Sequence, residues 1–242
     1  MGNSIERAAA LLRRARRVVA LTGAGVSAES GVPTFRGKNG LWNNYRAEEL
    51  ATPEAFARNP ALVWRWYNWR RGLIRSAAPN GAHLSLAAFE RAPFEFTLIT
   101  QNVDGLHSLA GSRNLLELHG NLWRIRCDSC GRVEHNETVL MPEPPCCDCG
   151  ASLRPDVVWF GEPLDPQVFG AAVEGASRAD AMLIVGTSCA VYPAASLAAH
   201  ARRFGAAIIE INLAPTPVTP WAQESLAGRA GEILPLVAKR IL

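Results

Sequence analysis

Short apolar runs separated by helical patterns constrain the fold of this chain of 242 residues more than any other feature. An amphipathic pattern at residues 4–17 leads into the first apolar run, residues 18–22. Similar runs recur at residues 94–100, 115–118, 157–160, 182–185 and 207–211. Two parallel strands must be joined by a crossover connection, which is usually a helix. Strands that alternate with helices therefore favour parallel pairing. The pattern therefore predicts an α/β fold with a mostly parallel, doubly wound sheet.

Two stretches depart from this alternation. Residues 37–80 follow helical patterns, and residues 124–154 contain five of the six cysteines. We interpret both stretches as excursions from the sheet that together form a small second domain. The predicted sheet domain then comprises residues 1–36, 81–123 and 155–242.

Composition and charge exclude several classes of protein. Apolar residues make up 48% of the chain and charged residues 19%, which is typical of a globular protein. The net charge of +3 gives no argument for nucleic acid or an anionic membrane as the main partner. The longest uncharged stretch, residues 181–201, is interrupted by Pro193, so we expect no transmembrane segment. Arginines interrupt the apolar residues of the first 17 positions, so we expect no secretory signal and a cytoplasmic location.

The cysteines indicate a metal site. Cys127 and Cys130 form one C-x-x-C pair, Cys146 and Cys149 form a second, and a glycine follows each pair. Four thiolates complete the tetrahedral shell of a structural zinc ion, and the glycines permit the tight turns of the two knuckles. Cys147 and Cys149 also form a C-x-C motif, but the zinc knuckle prefers two intervening residues. We therefore place Cys147 outside the shell. The sequence therefore predicts one zinc ion bound by Cys127, Cys130, Cys146 and Cys149.

A zinc-ribbon module that binds nucleic acid or another partner without turnover is the main alternative from another functional class. Between Cys127 and Cys149, however, Arg132 is the only arginine or lysine, whereas five residues are acidic. An acidic segment binds phosphates poorly. We therefore expect nucleic acid not to be a partner.

Polar residues follow the predicted strands. Ligands of a doubly wound sheet bind outside the carboxyl ends of its strands. The polar residues and glycines in these positions are Gly23, Gly25, Ser27, Gln101, Asn102, Asp104, His119, Gly186, Thr187, Ser188 and Asn212. Gly23 to Ala28 also has the G-x-G-x-x-A spacing of a turn whose backbone amides face a pyrophosphate. The shared edge predicts a dinucleotide site.

One residue of this edge is suited to acid–base chemistry. His119 is the only histidine that follows an apolar run directly and precedes a glycine, and an imidazole can act as a general base near neutral pH. No G-x-S-x-G motif is present, and Cys189 has no evident activating partner. Hydrolysis through a protein nucleophile is therefore not expected.

Several motifs, in the right order along the chain, resemble the sirtuin family of NAD-dependent lysine deacylases. They are residues 23–36, residues 100–104, His119-Gly120, the two cysteine pairs, residues 157–162, residues 186–188 and Asn212-Leu213. The resemblance extends from about residue 18 to the C-terminus. It implies a Rossmann-like domain, a small helical and zinc-binding domain, and a cleft between them where NAD meets an acyl-lysine protein or peptide.

The resemblance also implies the reaction. The acyl oxygen attacks the ribose carbon that bears nicotinamide, which releases nicotinamide and forms an alkylimidate. His119 then acts as general base on the ribose hydroxyls. Water then leads to free lysine and 2′-O-acyl-ADP-ribose, so NAD is consumed while zinc stays distant from the chemistry. ADP-ribosyl transfer is a minor alternative, because another nucleophile could meet the same ribose carbon.

Residue roles are implied in the same way. Asn102 and Asp104 join His119 as catalytic residues that position the ribose and the nicotinamide. The implied NAD-binding residues are Gly23, Ala24, Gly25, Ser27, Ala28, Phe35, Arg36, Trp42, Gln101, Asn102, Asp104, Gly186, Thr187, Ser188, Asn212, Leu213 and Ala230. The implied peptide-binding strand, which pairs with the substrate backbone, consists of Val158, Trp159, Phe160, Gly161 and Glu162.

Helical spacing predicts the acyl group. Tyr67 and Arg70 are three residues apart on a predicted helix, so they share one face, and a phenol beside a guanidinium suits a terminal carboxylate. Sirtuins that remove succinyl and malonyl groups carry this pair and a small residue before Thr-Pro, here Ala51. Arg71 is the alternative partner by spacing, whereas the resemblance selects Arg70. The sequence thus predicts a desuccinylase and demalonylase that also removes acetyl groups; a plain deacetylase is the alternative, and the oligomeric state stays open.

Overall fold

The computed structural model describes residues 2–34 and 47–242. Within these residues the strands are β1 (Arg17–Thr22), β2 (Glu95–Thr100), β3 (Leu115–Glu117), β4 (Gly120–Cys127), β5 (Val133–His135), β6 (Leu153–Val157), β7 (Ala181–Val185), β8 (Ala207–Asn212) and β9 (Glu224–Ala227). The helices are α1 (Gly2–Arg14), α2 (Ala24–Ala28), α3 (Ala47–Leu50), α4 (Pro53–Arg58), α5 (Pro60–Arg75), α6 (Gly81–Phe89), α7 (Leu106–Leu109), α8 (Pro166–Arg178), α9 (Ser196–Arg203) and α10 (Ala230–Ala238). A short 3-10 helix covers Thr219–Trp221.

The main sheet has six strands in the order β3-β2-β1-β7-β8-β9, and every neighbouring pair is parallel. Two strands extend from one side of β1 and three from the other. The predicted Rossmann-like, doubly wound α/β fold is therefore confirmed. The order reverses between β1 and β7, which opens a crevice at the carboxyl ends of these two strands.

Residues of β1 alternate between two helical layers. Val18 and Ala20 pack with α1, α6 and α10, whereas Val19 and Leu21 pack with α8 and α9. Side chains of a strand point alternately to its two faces, so a continuous apolar run can be buried on both. This packing fixes the strand end that carries the glycine-rich turn.

A second, antiparallel sheet has the order β5-β4-β6 and shares a hydrophobic cluster with α4 and α5. The parallel strand predicted at residues 157–160 is wrong, because β6 ends at Val157 and pairs antiparallel with β4. Trp159 is buried in the cluster around α5 instead. A short apolar run has no periodicity that distinguishes such burial from a strand of the main sheet.

The two predicted excursions from the main sheet correspond to α3–α5 and to the segment that contains β5 and the cysteines. Leu122 and Trp159, which the predicted bounds assign to the sheet domain, pack in the cluster around α5. The domain bounds stay a prediction. Among the described residues, no helix is both long enough and apolar enough to span a membrane.

Candidate functional site

Two glycines bring the turn after β1 against the end of β7. The amide of Gly25 donates a hydrogen bond of 2.8 Å to the carbonyl of Gly186. A Cβ atom on Gly25 would lie 2.7 Å from that carbonyl oxygen, and one on Gly186 would lie 2.5 Å from the amide nitrogen of Val26. Gly186 also has a φ of +58°, which an L side chain rarely adopts. The close approach therefore requires glycine at both positions, and it leaves a cradle that a dinucleotide can fill.

A cavity of about 470 Å³ adjoins this cradle. The predicted site residues that line it are Gly25, Ala28, Gly186, Asn212, Leu213 and Ala230. The side chain of Asn212 is held by a hydrogen bond of 2.8 Å from its Nδ2 to the carbonyl of Thr187. The glycines, the amide and the volume fit the adenosine half of NAD.

Four further lining residues were not predicted from the sequence: Glu29, Ile211, Gly228 and Arg229. Gly228 and Arg229 follow β9, a strand of four residues of which only Leu226 is buried. So short and exposed a strand has no apolar run to reveal it. Recognition of β9 would have pointed to the residues after it.

Ser27, Asn102 and Asp104 form one hydrogen-bonded group at the carboxyl ends of β1 and β2. The hydroxyl of Ser27 donates to Oδ2 of Asp104 at 2.7 Å and accepts from Nδ2 of Asn102 at 3.1 Å. Asn102 also donates to the carbonyl of Gly23 at 3.1 Å. Burial raises the pKa of Asp104, whereas hydrogen bonds from Leu106 and Ser27 oppose that rise. The structure thus brings together three residues that the sequence analysis placed in one site.

Two buried histidines behind this group were also missed. Nδ1 of His83 accepts a hydrogen bond from the amide of Asn80 at 3.3 Å, and its Nε2 lies 3.4 Å from Oγ of Ser27. Nε2 of His107 lies 3.0 Å from the hydroxyl of Thr22. Burial lowers the pKa of His83 to about 4 and that of His107 to about 3. Both rings are therefore neutral at pH 7, and their positions inside helices gave no sequence indication of a polar network.

His119 lies between β3 and β4, and one of its ring nitrogens is fixed by a hydrogen bond. Its Nδ1 is 2.9 Å from the carbonyl of Gln101, which can only accept a hydrogen bond, so Nδ1 carries the hydrogen. Burial lowers the pKa of His119, partly offset by this hydrogen bond. The lone pair of Nε2 is therefore available for a proton. Gln101 itself donates from Nε2 to the hydroxyl of Thr187 at 2.9 Å, which joins two further predicted residues.

Tyr67 and Arg70 lie together on α5, and both side chains are buried. The guanidinium carbon of Arg70 is 4.9 Å from the ring centre of Trp66 and 5.8 Å from that of Tyr67. Burial lowers the pKa of Arg70, whereas the negative charge of Asp104 acts to raise it. Burial raises the pKa of Tyr67, so its phenol is neutral. Ala51, the third predicted acyl-pocket residue, is buried in the cluster around α5. The pair therefore places a buried guanidinium beside a buried phenol, and the charges of Arg70 and Asp104 affect each other's pKa.

Arg71, the alternative carboxylate partner, has a structural role. Its guanidinium donates to the carbonyls of Leu122 and Thr138 at 2.6 and 2.7 Å and to Oδ1 of Asn136 at 2.9 Å. Burial lowers its pKa to about 10. These contacts join α5 to β4 and to the segment after β5, so Arg71 is not available to a ligand.

The predicted peptide-binding strand is not a strand in the structure. The amide of Val158 donates to the carbonyl of His119, and the amide of Phe160 donates to the carbonyl of Ala51, both at 2.9 Å. The φ of +87° at Gly161 turns the chain. The Glu162 carboxylate accepts hydrogen bonds within the protein, from Arg154 at 2.6 Å and from the amide of Trp159 at 2.8 Å. Substrate binding by this segment stays a prediction.

Four cysteine sulfurs lie within 4.8 Å of one another: those of Cys127, Cys130, Cys147 and Cys149. Cys147 therefore replaces Cys146, which the sequence analysis selected. Cys146 forms a β-bridge with Ser152 and is exposed, whereas Cys147 is buried. Successive residues of an extended segment point to opposite sides, so only one of these neighbours can face the cluster.

The cluster fits a structural zinc ion. Thiolates at about 2.3 Å from a tetrahedral zinc ion are separated by about 3.8 Å, which matches the observed spacing. Backbone N–H groups, that of Cys130 foremost, lower the pKa of Cys127 to about 7. For Cys130 and Cys149, hydrogen bonds from the backbone are outweighed by those with neighbouring thiols, which raise the pKa. Four sulfurs leave no open position for substrate.

The predicted NAD-binding residues Phe35, Arg36 and Trp42 lie outside the described residues.

Comparisons with known proteins agree with this geometry. The model of the Sir2 family matches residues 23–193. The NAD-dependent protein deacylase 2 of Pyrobaculum aerophilum is 54% identical over 232 residues, which are 96% of this chain and 93% of that protein. A solved complex of a Sir2 homologue with NAD is 51% identical, with a TM-score of 0.92, and the match covers 97% of this chain and 92% of that one. The structure of Sir2Af2 bound to a myristoylated histone peptide is 34% identical, with a TM-score of 0.81 and coverage of 99% and 97%.

Proposed function

Since the chain belongs to the Sir2 family and is an NAD-dependent protein deacylase, we propose that it removes succinyl and malonyl groups from lysine as well as acetyl groups. The observation that carries this proposal is the buried pair of Tyr67 and Arg70 on α5. A carboxylate at the end of an acyl chain offers two oxygens to a guanidinium and a phenol in a site that excludes water. An acetyl group offers neither of them a partner.

The charge balance of the site supports the same acyl groups. Burial lowers the pKa of Arg70, because the charged guanidinium loses hydration free energy inside the protein. A bound carboxylate would stabilise the charged form. Arg71, the neighbouring guanidinium, is occupied by three acceptors of the small antiparallel sheet and its flanks. Arg70 instead lies beside the Tyr67 ring, at 5.8 Å from its centre, so we assign the acyl carboxylate to Arg70.

The residues near the cradle would have different roles in the reaction. NAD supplies a ribose carbon that is open to attack by the acyl oxygen. In our proposal Nε2 of His119 takes a proton from a ribose hydroxyl, because its Nδ1 is fixed as a donor to Gln101. Asn102, which is held by Ser27 and Gly23, and Asp104 would position the ribose and the nicotinamide. The products would be nicotinamide, free lysine and 2′-O-acyl-ADP-ribose.

The experiment is a mass-spectrometric assay of one peptide in acetyl-, malonyl- and succinyl-lysine forms, with and without NAD. We expect NAD-dependent loss of each group, with a kcat/KM for the two acidic forms at least equal to that for acetyl. Turnover of the acetyl form alone would contradict the proposed acyl specificity and leave a plain deacetylase. A myristoyl-lysine form belongs in the assay because a solved relative binds a myristoylated peptide. ADP-ribosylated protein in the same spectra would indicate the transferase alternative.

A further inference from the structure

A buried hydrogen bond joins the acyl-pocket tyrosine to the segment after β6. Nε1 of Trp159 lies 2.8 Å from the hydroxyl oxygen of Tyr67, and both side chains are buried. An indole N–H is a donor and has no acceptor, so Trp159 must donate and Tyr67 must accept. The direction of this hydrogen bond is therefore fixed by chemistry.

The fixed direction determines where the Tyr67 hydrogen can point. A phenol has one hydrogen, which lies near the ring plane, and the side facing Trp159 is already taken by the indole N–H. Within the described part of the chain, the hydrogen bond from Trp159 is the only one that this hydroxyl makes. The neighbouring guanidinium of Arg70 carries only hydrogen-bond donors, so it cannot accept the Tyr67 hydrogen. The Tyr67 hydrogen is thus a buried donor that a ligand oxygen can satisfy.

Trp159 is itself held in place from two sides. The guanidinium carbon of Arg154 lies 3.3 Å from the centre of the Trp159 ring. Glu162 accepts the Trp159 amide at 2.8 Å and binds Arg154 at 2.6 Å. The ring is therefore clamped between an ion pair and the hydrophobic cluster around α5, which keeps its N–H directed at Tyr67.

We propose that Trp159 is a specificity-determining residue, which directs the Tyr67 hydroxyl hydrogen toward the carboxylate of a succinyl or malonyl group. The indole N–H makes the phenol a better donor to that carboxylate, because a hydroxyl that accepts a hydrogen bond donates more strongly. This role rests on the proposed acidic-acyl activity. It differs from the peptide-backbone role that resemblance gives to residues 158–162, because it belongs to the Trp159 side chain.

A double-mutant cycle tests the role. We would measure kcat/KM for succinyl- and acetyl-lysine peptides with the wild-type enzyme, Trp159→Phe, Tyr67→Phe and the double variant. The ratio of the two values cancels any loss that both acyl groups share. We expect Trp159→Phe to lower the succinyl-to-acetyl ratio by about threefold to tenfold, the size of one hydrogen bond between neutral groups. In the Tyr67→Phe background the same substitution should leave the ratio unchanged.

Trp64→Phe is the matched control. Trp64 is buried in the same cluster, donates from Nε1 to the carbonyl of Leu153 at 2.8 Å and lies 5.7 Å from the guanidinium carbon of Arg71. Its substitution removes an equivalent N–H without touching Tyr67, so the ratio should not change. Where Trp159→Phe unfolds the protein, 3-benzothienylalanine at position 159 replaces the N–H by sulfur and keeps the shape.

The possible results separate the two proposals. If Tyr67→Phe lowers the ratio but neither change at position 159 does, the role of Trp159 is wrong and the acidic-acyl function stands. Additive effects of Trp159→Phe and Tyr67→Phe would also overturn the role, because the two residues would then act independently. If the wild-type enzyme shows no turnover of the succinyl peptide, the proposed function fails and the role fails with it.

Discussion

The sulfur of Cys147 lies 3.7 Å from the sulfur of Cys130, whereas Cys146, one residue earlier, is exposed. Two backbone hydrogen bonds close the turn around Cys147: its amide donates to the carbonyl of Ala151, and its carbonyl accepts from Gly150, both at 2.8 Å. The turn therefore directs Cys147 and Cys149 to one side and Cys146 to the other. The second knuckle has one residue between its ligands where the first has two.

Zinc content distinguishes the two adjacent cysteines. We expect Cys147→Ser to lose most of the single bound zinc ion and to lower the melting temperature, because a structural zinc site contributes folding free energy directly. Cys146→Ser is the control and should keep both the zinc and the melting temperature of the wild-type protein. The measurements are elemental analysis of the purified protein and thermal unfolding, neither of which depends on activity. Loss of zinc from Cys146→Ser instead would restore the assignment made from spacing.

The cysteine assignment shows where sequence spacing stops being informative. C-x-x-C and C-x-C both give two sulfurs that can converge, so spacing favours one without excluding the other. The β-bridge of Cys146 with Ser152 decides between them, and that register depends on pairing across the loop. Three of the four clustered cysteines could be predicted because Cys127, Cys130 and Cys149 occur in both alternatives.

The parallel sheet was predictable for a different reason. Strands such as β1 and β7 are buried on both faces, so each has an uninterrupted apolar run. The small antiparallel sheet gave no such runs: β4 mixes Trp123 and Ile125 with two arginines, and β5 has three residues. His83 and His107 were missed because the burial that lowers their pKa values comes from contacts distant in sequence.

Substitution of His119 should remove most of the turnover and spare NAD binding. The ring nitrogen Nδ1 of His119 is engaged by Gln101, so Nε2 is the atom that would take the proton. We expect His119→Tyr to reduce kcat for every acyl group by about a hundredfold to ten-thousandfold, the usual contribution of a general base. Calorimetric titration with NAD should still show binding. Retained deacylation in this variant would remove His119 from the role of general base.

His135→Tyr is the control for that substitution. His135 is exposed on β5, where it contacts Glu137 at 3.2 Å. The same change of imidazole to phenol at this position should leave both turnover and NAD affinity at the wild-type level. A loss of turnover in both variants would indicate a general effect of the new tyrosine.

The buried histidines should make the protein sensitive to acid. Burial lowers the pKa of His83 to about 4 and that of His107 to about 3, from an ordinary value of 6.5. Between pH 6.5 and about 4 the unfolded chain binds a proton at each imidazole, and the folded protein does not. The free energy of unfolding therefore falls as the pH falls, by about 1.4 kcal/mol per pH unit for each histidine.

His107→Gln tests this dependence, because a glutamine amide nitrogen can take the place of Nε2 beside Thr22. We expect the variant to lose the contribution of His107, so that its free energy of unfolding falls less steeply, by about 1.4 kcal/mol per pH unit, over the same window. Urea denaturation at a series of pH values measures the slope. His135→Gln changes an exposed histidine and should keep the wild-type slope. An unchanged slope for His107→Gln would mean that its imidazole titrates alike in both states.

Removal of the Arg70 guanidinium should separate acidic from neutral acyl groups. A succinyl or malonyl carboxylate in the buried pocket of Arg70→Met would have lost its ion-pair partner, a change that costs about 2 to 5 kcal/mol. We therefore expect kcat/KM for the succinyl peptide to fall by about thirtyfold to several thousandfold, and that for the acetyl peptide to fall far less, since acetyl has no carboxylate to pair. Arg65→Met is the control, because Arg65 lies on the same helix with an exposed side chain that pairs with Glu143. Equal losses for the succinyl and acetyl peptides in Arg70→Met would contradict a carboxylate-binding role. The same succinyl-to-acetyl ratio of kcat/KM in Arg70→Met and Arg65→Met would show that only the charge of the helix matters.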